Sequence, residues 1–214
     1  MLIKEPVNTC AVITGDLVKS AELNAVEFHI VIELLREGAR KFADTFPGSV
    51  EGEIDFFRGD AWQLFIPHWK LSLRAGLFVR AYLLANIDFR GDTRVAVTWG
   101  QMDKNKVNLE KVAQSAEELF AFSYETVESM TPKMRLCLGV ASAEKLMASP
   151  ETKPLLISSI ALLDALTCNL SKNQAQKFSR ALLGYELEQI SQEIGKTTSA
   201  VNYALVNCGW PEIE

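Results

Sequence analysis

Cysteine is scarce and scattered: Cys10, Cys137, Cys168 and Cys208 are the four in 214 residues, with no close Cys-Cys or Cys-His spacing. Structural zinc needs four such ligands brought close together, so the pattern argues against a zinc site and for separate thiols in a reducing compartment. The two histidines, His29 and His68, stand alone. Ser20, Ser115 and Ser123 have no evident histidine partner, which leaves a hydrolase triad unsupported. A Walker or dinucleotide-type glycine loop is missing too. No stretch approaches the roughly 20 uninterrupted apolar residues of a membrane span. The opening MLIKEPVNTC lacks the basic and apolar segments of a secretory leader, so a cytoplasmic protein with no membrane partner is expected. Positive charge is not in excess: the net charge of −5 argues against non-specific coating of nucleic acid, while leaving room for a local basic site.

What is present is a chain able to build a core, with 48% apolar and 23% charged residues. Two segments, CAVITGD (Cys10–Asp16) and IDFFRGDAWQLF (Ile54–Phe65), each set a Gly-Asp pair beside an apolar run. An aspartate at the end of a buried strand sits on a rigid support. Asp16 and Asp60 on neighbouring strands could share a divalent cation, because hard ions such as Mg²⁺ favour one or two carboxylates with phosphate oxygens. The plainer reading of Gly-Asp is a turn. Arg58, beside Asp60, is read either as a fork for a phosphate oxygen or as a salt-bridge partner of Asp16, Asp55 or Asp60. Gln63 is read either as a hydrogen-bonding group across the hairpin or as a solvent-facing residue.

The first half alternates strand and helix patterns. Strands are expected at Thr9–Thr14, Glu51–Phe57, Ala61–Ile66, Arg94–Trp99 and Met134–Val140. Helices are expected at Ala21–Phe46, Trp69–Ile87 and Leu109–Ser129. That order predicts an α+β fold, a ferredoxin-like antiparallel sheet backed by helices, over residues 1–146. Strand signals then cease. Residues 147–214 are expected to form a small all-α domain with helices at Leu155–Cys168, Lys172–Leu183, Glu186–Ile194 and Thr198–Val206. Ile190 and Ile194, the turn glycine Gly195, then Val201 and Leu205 have the spacing of a helix-turn-helix, and of ordinary helical hairpins as well. On the DNA-binding reading, the contacting residues are Lys196, Thr197, Ser199, Asn202 and Tyr203, with Asn202 suited to adenine.

The segments AVITGDLVKS, FFRGDAWQLF, RVAVTWG and the terminal NCGWPEI resemble the SatD-like group of bacterial proteins, over nearly the whole chain. That group looks like a relative of class III nucleotidyl cyclases. The resemblance implies a cyclase-like sheet in which Asp16 and Asp60 hold metal, Mg²⁺ or Mn²⁺, near the carbonyl of Leu17. It also shows departures. Phe56 stands where such cyclases read the purine with lysine or glutamate, and it offers no hydrogen bond to a base. The helix expected after the fourth strand has neither the asparagine nor the arginine that bind ribose and transition-state charge, so cyclase activity is not expected.

Three functions follow from these residues. The leading one is a regulator: a degenerate cyclase-like domain binding a nucleotide or phosphorylated ligand, joined to a helix-turn-helix that binds DNA, working as a homodimer. The second is a metal-dependent nucleotidyl- or phosphoryl-transferase using Asp16 and Asp60. The third is a protein-interaction module.

Overall fold

The computed structural model describes residues 8–115, 118–141, 147 and 149–212. Five strands, β1 (Thr9–Leu17), β2 (Glu51–Phe57), β3 (Ala61–Ile66), β4 (Thr93–Gln101) and β5 (Leu136–Val140), form one sheet in the order β2-β3-β1-β4-β5. Helices α1 (Ala25–Thr45), α2 (Ser72–Asn86) and α3 (Glu118–Glu128) connect them, and α4 (Thr152–Thr167), α5 (Lys172–Leu182), α6 (Leu187–Ile194) and α7 (Thr198–Val206) follow. The fold is mixed α+β, the class expected. No helix among the described residues is long and apolar enough to cross a membrane.

The central strand explains the continuous apolar run at the start of the chain. β1 is covered on both faces, so every residue from Cys10 to Ile13 is fully buried. Ala11, Ile13 and Leu17 join Trp62, Leu64, Val95 and Val97 in a core closed by α1 and α2, through Val31, Leu35, Phe42 and Phe78. The alternate residues Cys10 and Val12 face Leu119 and Phe120 of α3 with Phe65. The period-2 alternation of a strand sorts these side chains between two layers of helix.

β1 pairs antiparallel with β3 and β4, and β2 with β3. The expectation of a wholly antiparallel sheet needs correction at its far edge, where β5 runs parallel to β4. α3 crosses from the end of β4 back to the start of β5, and such a crossover returns the chain in the same direction.

Three helix starts differ from the expected ones. α1 starts at Ala25, later than the expected Ala21, because Asn24 and Glu27 form a reciprocal capping box. α2 starts at Ser72 after a short 3₁₀ turn at Trp69–Leu71. The helix expected over Leu109–Ser129 is regular only from Glu118. Before it, the Asn108 side chain accepts from the amides of Glu110 and Lys111, and Asp55 accepts from that of Ala113, at 3.2, 3.1 and 3.1 Å. Such bonds draw backbone amides away from a helical ladder.

The C-terminal helices attach to the sheet through polar anchors as well as apolar ones. Asp164 of α4 accepts from the amides of Arg135 and Leu136 at 3.0 and 2.9 Å. Arg80 of α2 donates to the carbonyls of Thr167 and Cys168 at 2.8 and 3.0 Å. Phe178, Ile190, Val201 and Leu205 continue the apolar cluster that begins in the sheet. The expected boundary between residues 146 and 147 adjoins a segment outside the described residues.

Candidate functional site

The two Gly-Asp pairs differ in structure. Gly15-Asp16 lies inside β1, whereas Gly59-Asp60 belongs to the turn between β2 and β3. Arg58 and Gly59, in the three-residue link Arg58-Gly59-Asp60 between the paired Phe57 and Ala61, both have positive φ, 52° and 98°. Gly15 is needed because Trp62 lies across it: a Cβ there would sit 2.1 Å from the indole. That indole donates to Thr93 Oγ1 at 3.0 Å, and Thr93 Oγ1 donates to the Asp16 carbonyl at 3.1 Å.

Asp16, Leu17 and Asp60 come to the same end of the sheet. Asp16 is in register with Ala61 on one side and Arg94 on the other, and the Leu17 amide donates to the Asp60 carbonyl at 3.3 Å. Their carboxylates, however, are held by different partners. Asp16 Oδ2 accepts from Nε and Nη2 of Arg94, whose Nη1 donates to the Met130 carbonyl at 3.2 Å. Asp60 Oδ2 accepts from Ser20 Oγ. Among the described residues no group of three or more His, Cys, Asp or Glu could hold a metal ion. A divalent cation at Asp16 would have to displace a guanidinium that already neutralises it. As arranged, these residues do not fit Mg²⁺ or Mn²⁺. Arg94 is the residue that sequence reasoning missed; its one signal is its place at the start of the strand RVAVTW.

Arg58 and Gln63 meet at a separate place. Both line a cavity of about 320 Å³ with Phe57, Ser115, Phe120 and Tyr124. That volume is at the lower bound for a small-molecule site. The Arg58 guanidinium stacks over the Tyr124 ring, 4.5 Å from its centroid, and makes none of the salt bridges considered for it. Gln63 is buried rather than solvent-facing: its amide donates to Thr14 Oγ1 at 3.0 Å and to the Phe120 carbonyl at 2.9 Å. Thr14 and Ser123 hydroxyls meet at 2.6 Å, completing a polar bridge from sheet to α3. Phe56 points elsewhere, under the guanidinium of Arg36 from α1 at 5.4 Å.

At the other end of the chain, α6 and α7 meet at a tight turn. Gly195 closes α6 in the left-handed conformation at φ 63°, and Ser191 Oγ donates to the Lys196 carbonyl at 2.7 Å. Thr197 Oγ1 then caps α7 by accepting from the Ala200 amide at 3.2 Å. α7 buries Val201, Ala204 and Leu205 against the cluster containing Ile190 and Phe178. Its opposite side leaves Ser199 and Asn202 exposed and Tyr203 73% exposed, with Lys196 and Thr197 exposed just before it. All five residues expected to contact DNA thus lie on one accessible surface. Behind the turn, burial and the nearby Lys196 and Arg180 push the Lys177 ammonium below its usual pKa.

No protein-family model matches the sequence, and no curated protein matches it. Among solved structures, the chain is similar to the adenylyl cyclase CyaB from P. aeruginosa at 14% identity and a TM-score of 0.40, covering 69% of this chain and 80% of that one. A bacterial light-regulated adenylyl cyclase is similar at 11% identity and a TM-score of 0.39, over 61% of this chain and 42% of that one. Another structure of a bacterial light-regulated adenylyl cyclase is similar at 13% identity and a TM-score of 0.37, over 63% of this chain and 77% of that one. Similarity this distant assigns no activity or ligand to this chain.

Proposed function

We propose that this protein is a regulator that binds DNA through α6 and α7, with the sheet acting as a non-catalytic, cyclase-like ligand domain. The observation that carries this reading is the two-sided character of α7. Val201, Ala204 and Leu205 are buried inward, whereas Ser199, Asn202 and Tyr203 face solvent together, beside a capped N-terminus. In a helix-turn-helix the second helix enters the major groove with its N-terminal residues against the bases. Asn202 then reads adenine, and Lys196 and Thr197 approach a phosphate.

The sheet is read as ferredoxin-like because β1, β2, β3 and β4 follow a split βαβ order, with β1 and β3 central. Its ligand, a nucleotide or another phosphorylated molecule, is assigned to the cavity of Arg58 and Gln63. Arg94 already pairs with Asp16, which disfavours metal-dependent transfer at Asp16 and Asp60.

Charge limits the DNA affinity. From Glu151 onward five lysine and arginine residues face seven acidic ones, and Lys177 is buried. Phosphate contacts set the slope of affinity against salt, so that slope is expected to be shallow. The test is selection of DNA from a random pool by the full chain, followed by fluorescence anisotropy. Asn202→Ala should weaken the selected site about tenfold or more at unchanged melting temperature, as loss of a bidentate base contact does. Failure to enrich any sequence, or an Asn202→Ala protein that binds as the parent does, overturns the DNA reading. A nucleotide panel screened by thermal shift tests the ligand domain separately, since a ligand of the native state raises its melting temperature.

A further inference from the structure

We propose that the groove between α4 and the start of α2 binds a free fatty acid, with the acyl chain along α4 and the carboxylate at Lys70 and Arg74. The groove has a volume of about 1010 Å³, at the upper end of the range for small-molecule sites. Its floor is fixed in advance. Leu77, Trp99 and Ile160 are each more than nine-tenths buried. The Trp99 indole donates to Ser72 Oγ at 2.8 Å and meets the Trp69 ring edge-on at 5.1 Å. A site held in this way needs little ordering when its ligand arrives.

One wall is a single side of α4. Leu156, Ser159, Leu162, Leu163 and Leu166 recur at spacings of three and four residues and all line the groove. Ile157 falls on the other side of the helix and does not. From Leu156 to Leu166 this wall runs about 15 Å along the helix axis, the length of an acyl chain rather than of a compact ligand. Leu162 and Leu166 are 69% and 43% exposed, so apolar surface is left open to water where the chain would lie.

Charge selects the head group. Lys70 and Arg74 line the groove about one helical turn apart, and among the described residues no acid does. The Arg74 guanidinium lies over the Phe46 ring, 5.5 Å from its centroid, a contact that uses its face and not its N–H donors. A guanidinium beside an ammonium suits a carboxylate and repels a cation. An extended peptide would bury backbone groups here with little besides Ser159 to satisfy them, whereas an acyl chain is polar only at its head. This site is separate from the cavity of Arg58 and from α7, so each reading can fail alone.

Isothermal titration calorimetry of the full chain with laurate tests it, and laurate should bind at one site. Octanoate, four methylenes shorter, should bind on the order of a hundredfold more weakly, since each buried methylene is worth about fourfold. Dodecyltrimethylammonium, with the same chain length and a positive head, should bind about tenfold or more weakly than laurate, as should laurate to a Lys70→Gln/Arg74→Gln protein. Ser159→Trp, at an exposed position on the groove side of α4, should fill the groove and abolish binding at unchanged melting temperature. Ile157→Glu, on the other side of α4 and 44% exposed, should leave binding as in the parent. A parent that takes up no laurate overturns the proposal, including one that instead binds only phosphatidylglycerol vesicles. So does laurate binding that is indifferent to Ser159→Trp, or equal affinity for laurate and dodecyltrimethylammonium.

Discussion

Asp16 carries the sharpest question at the scale of single residues. A carboxylate gripped by two guanidinium nitrogens on the neighbouring strand is a structural partner as much as a candidate ligand. Both side chains are about one-fifth exposed, so solvent screens the pair only in part. A double-mutant cycle of Asp16→Asn and Arg94→Met, followed by urea unfolding, should give a coupling of about 1–3 kcal/mol. A coupling near zero would mean that the pair holds nothing together and that Asp16 is free for another role. Gly15 offers a second probe, because its missing side chain is what lets Trp62 lie flat against β1. Gly15→Ala should destabilise the fold by about 1–3 kcal/mol or more through overpacking, read from the same unfolding curves. An innocuous Gly15→Ala would show that Trp62 moves freely, against its buried hydrogen bond to Thr93.

Among the elements, the decisive joint is between α2 and the end of α4. Arg80, 3% exposed, donates to Asp92 through two nitrogens and to the carbonyls of Thr167 and Cys168. Asp92 also accepts from Arg135 at 2.8 Å, and its carbonyl accepts from the Val18 amide at 2.8 Å. One buried guanidinium therefore ties the C-terminal helices to the strand end that carries Asp16. Arg80→Met leaves Asp92 with Arg135 but takes a charged donor from the carbonyls of Thr167 and Cys168, so it should cost about 1–3 kcal/mol in urea unfolding. A loss under about 1 kcal/mol would place this joint among surface-like pairs. The strands and C-terminal helices were readable as elements because their apolar periods and glycine stops are local. The segment before α3 was not, since Asp55, far away in sequence, takes one of its amides.

For the molecule as a whole, stability should respond to alkaline pH in two opposed ways. Burial pushes the Cys137 and Cys208 thiols up to about 12 and about 11. Thiols of the unfolded chain ionise near about 8.5. The stability these cysteines lend is therefore complete below that pH and is lost as pH rises through their folded values. Lys177 acts oppositely, because its folded pKa lies below that of an unfolded lysine. Its burden is full while both states are protonated, and it fades as pH climbs through the folded value towards about 10.4. Lys177→Met should thus be more stable than the parent at neutral pH, with a gap that narrows on alkaline titration followed by thermal unfolding. A gap constant with pH would show that Lys177 is solvated in the folded protein.

The chain's own order of residues determined the kinds of element and most of their extents, because helix and strand periods, caps and turn glycines act within a few positions. It determined too that α7 has an apolar side and a polar side, and that Asp16 and Asp60 adjoin apolar strands. Tertiary structure alone decided what those carboxylates meet. Arg94 is distant in sequence from Asp16 and becomes its neighbour only when β4 pairs with β1. It decided likewise that Gln63 is spent inside the fold, that β5 runs parallel to β4, and that one side of α4 is left uncovered. Each of these depends on which strands and helices pack together, and periodicity within a segment carries no record of its neighbours.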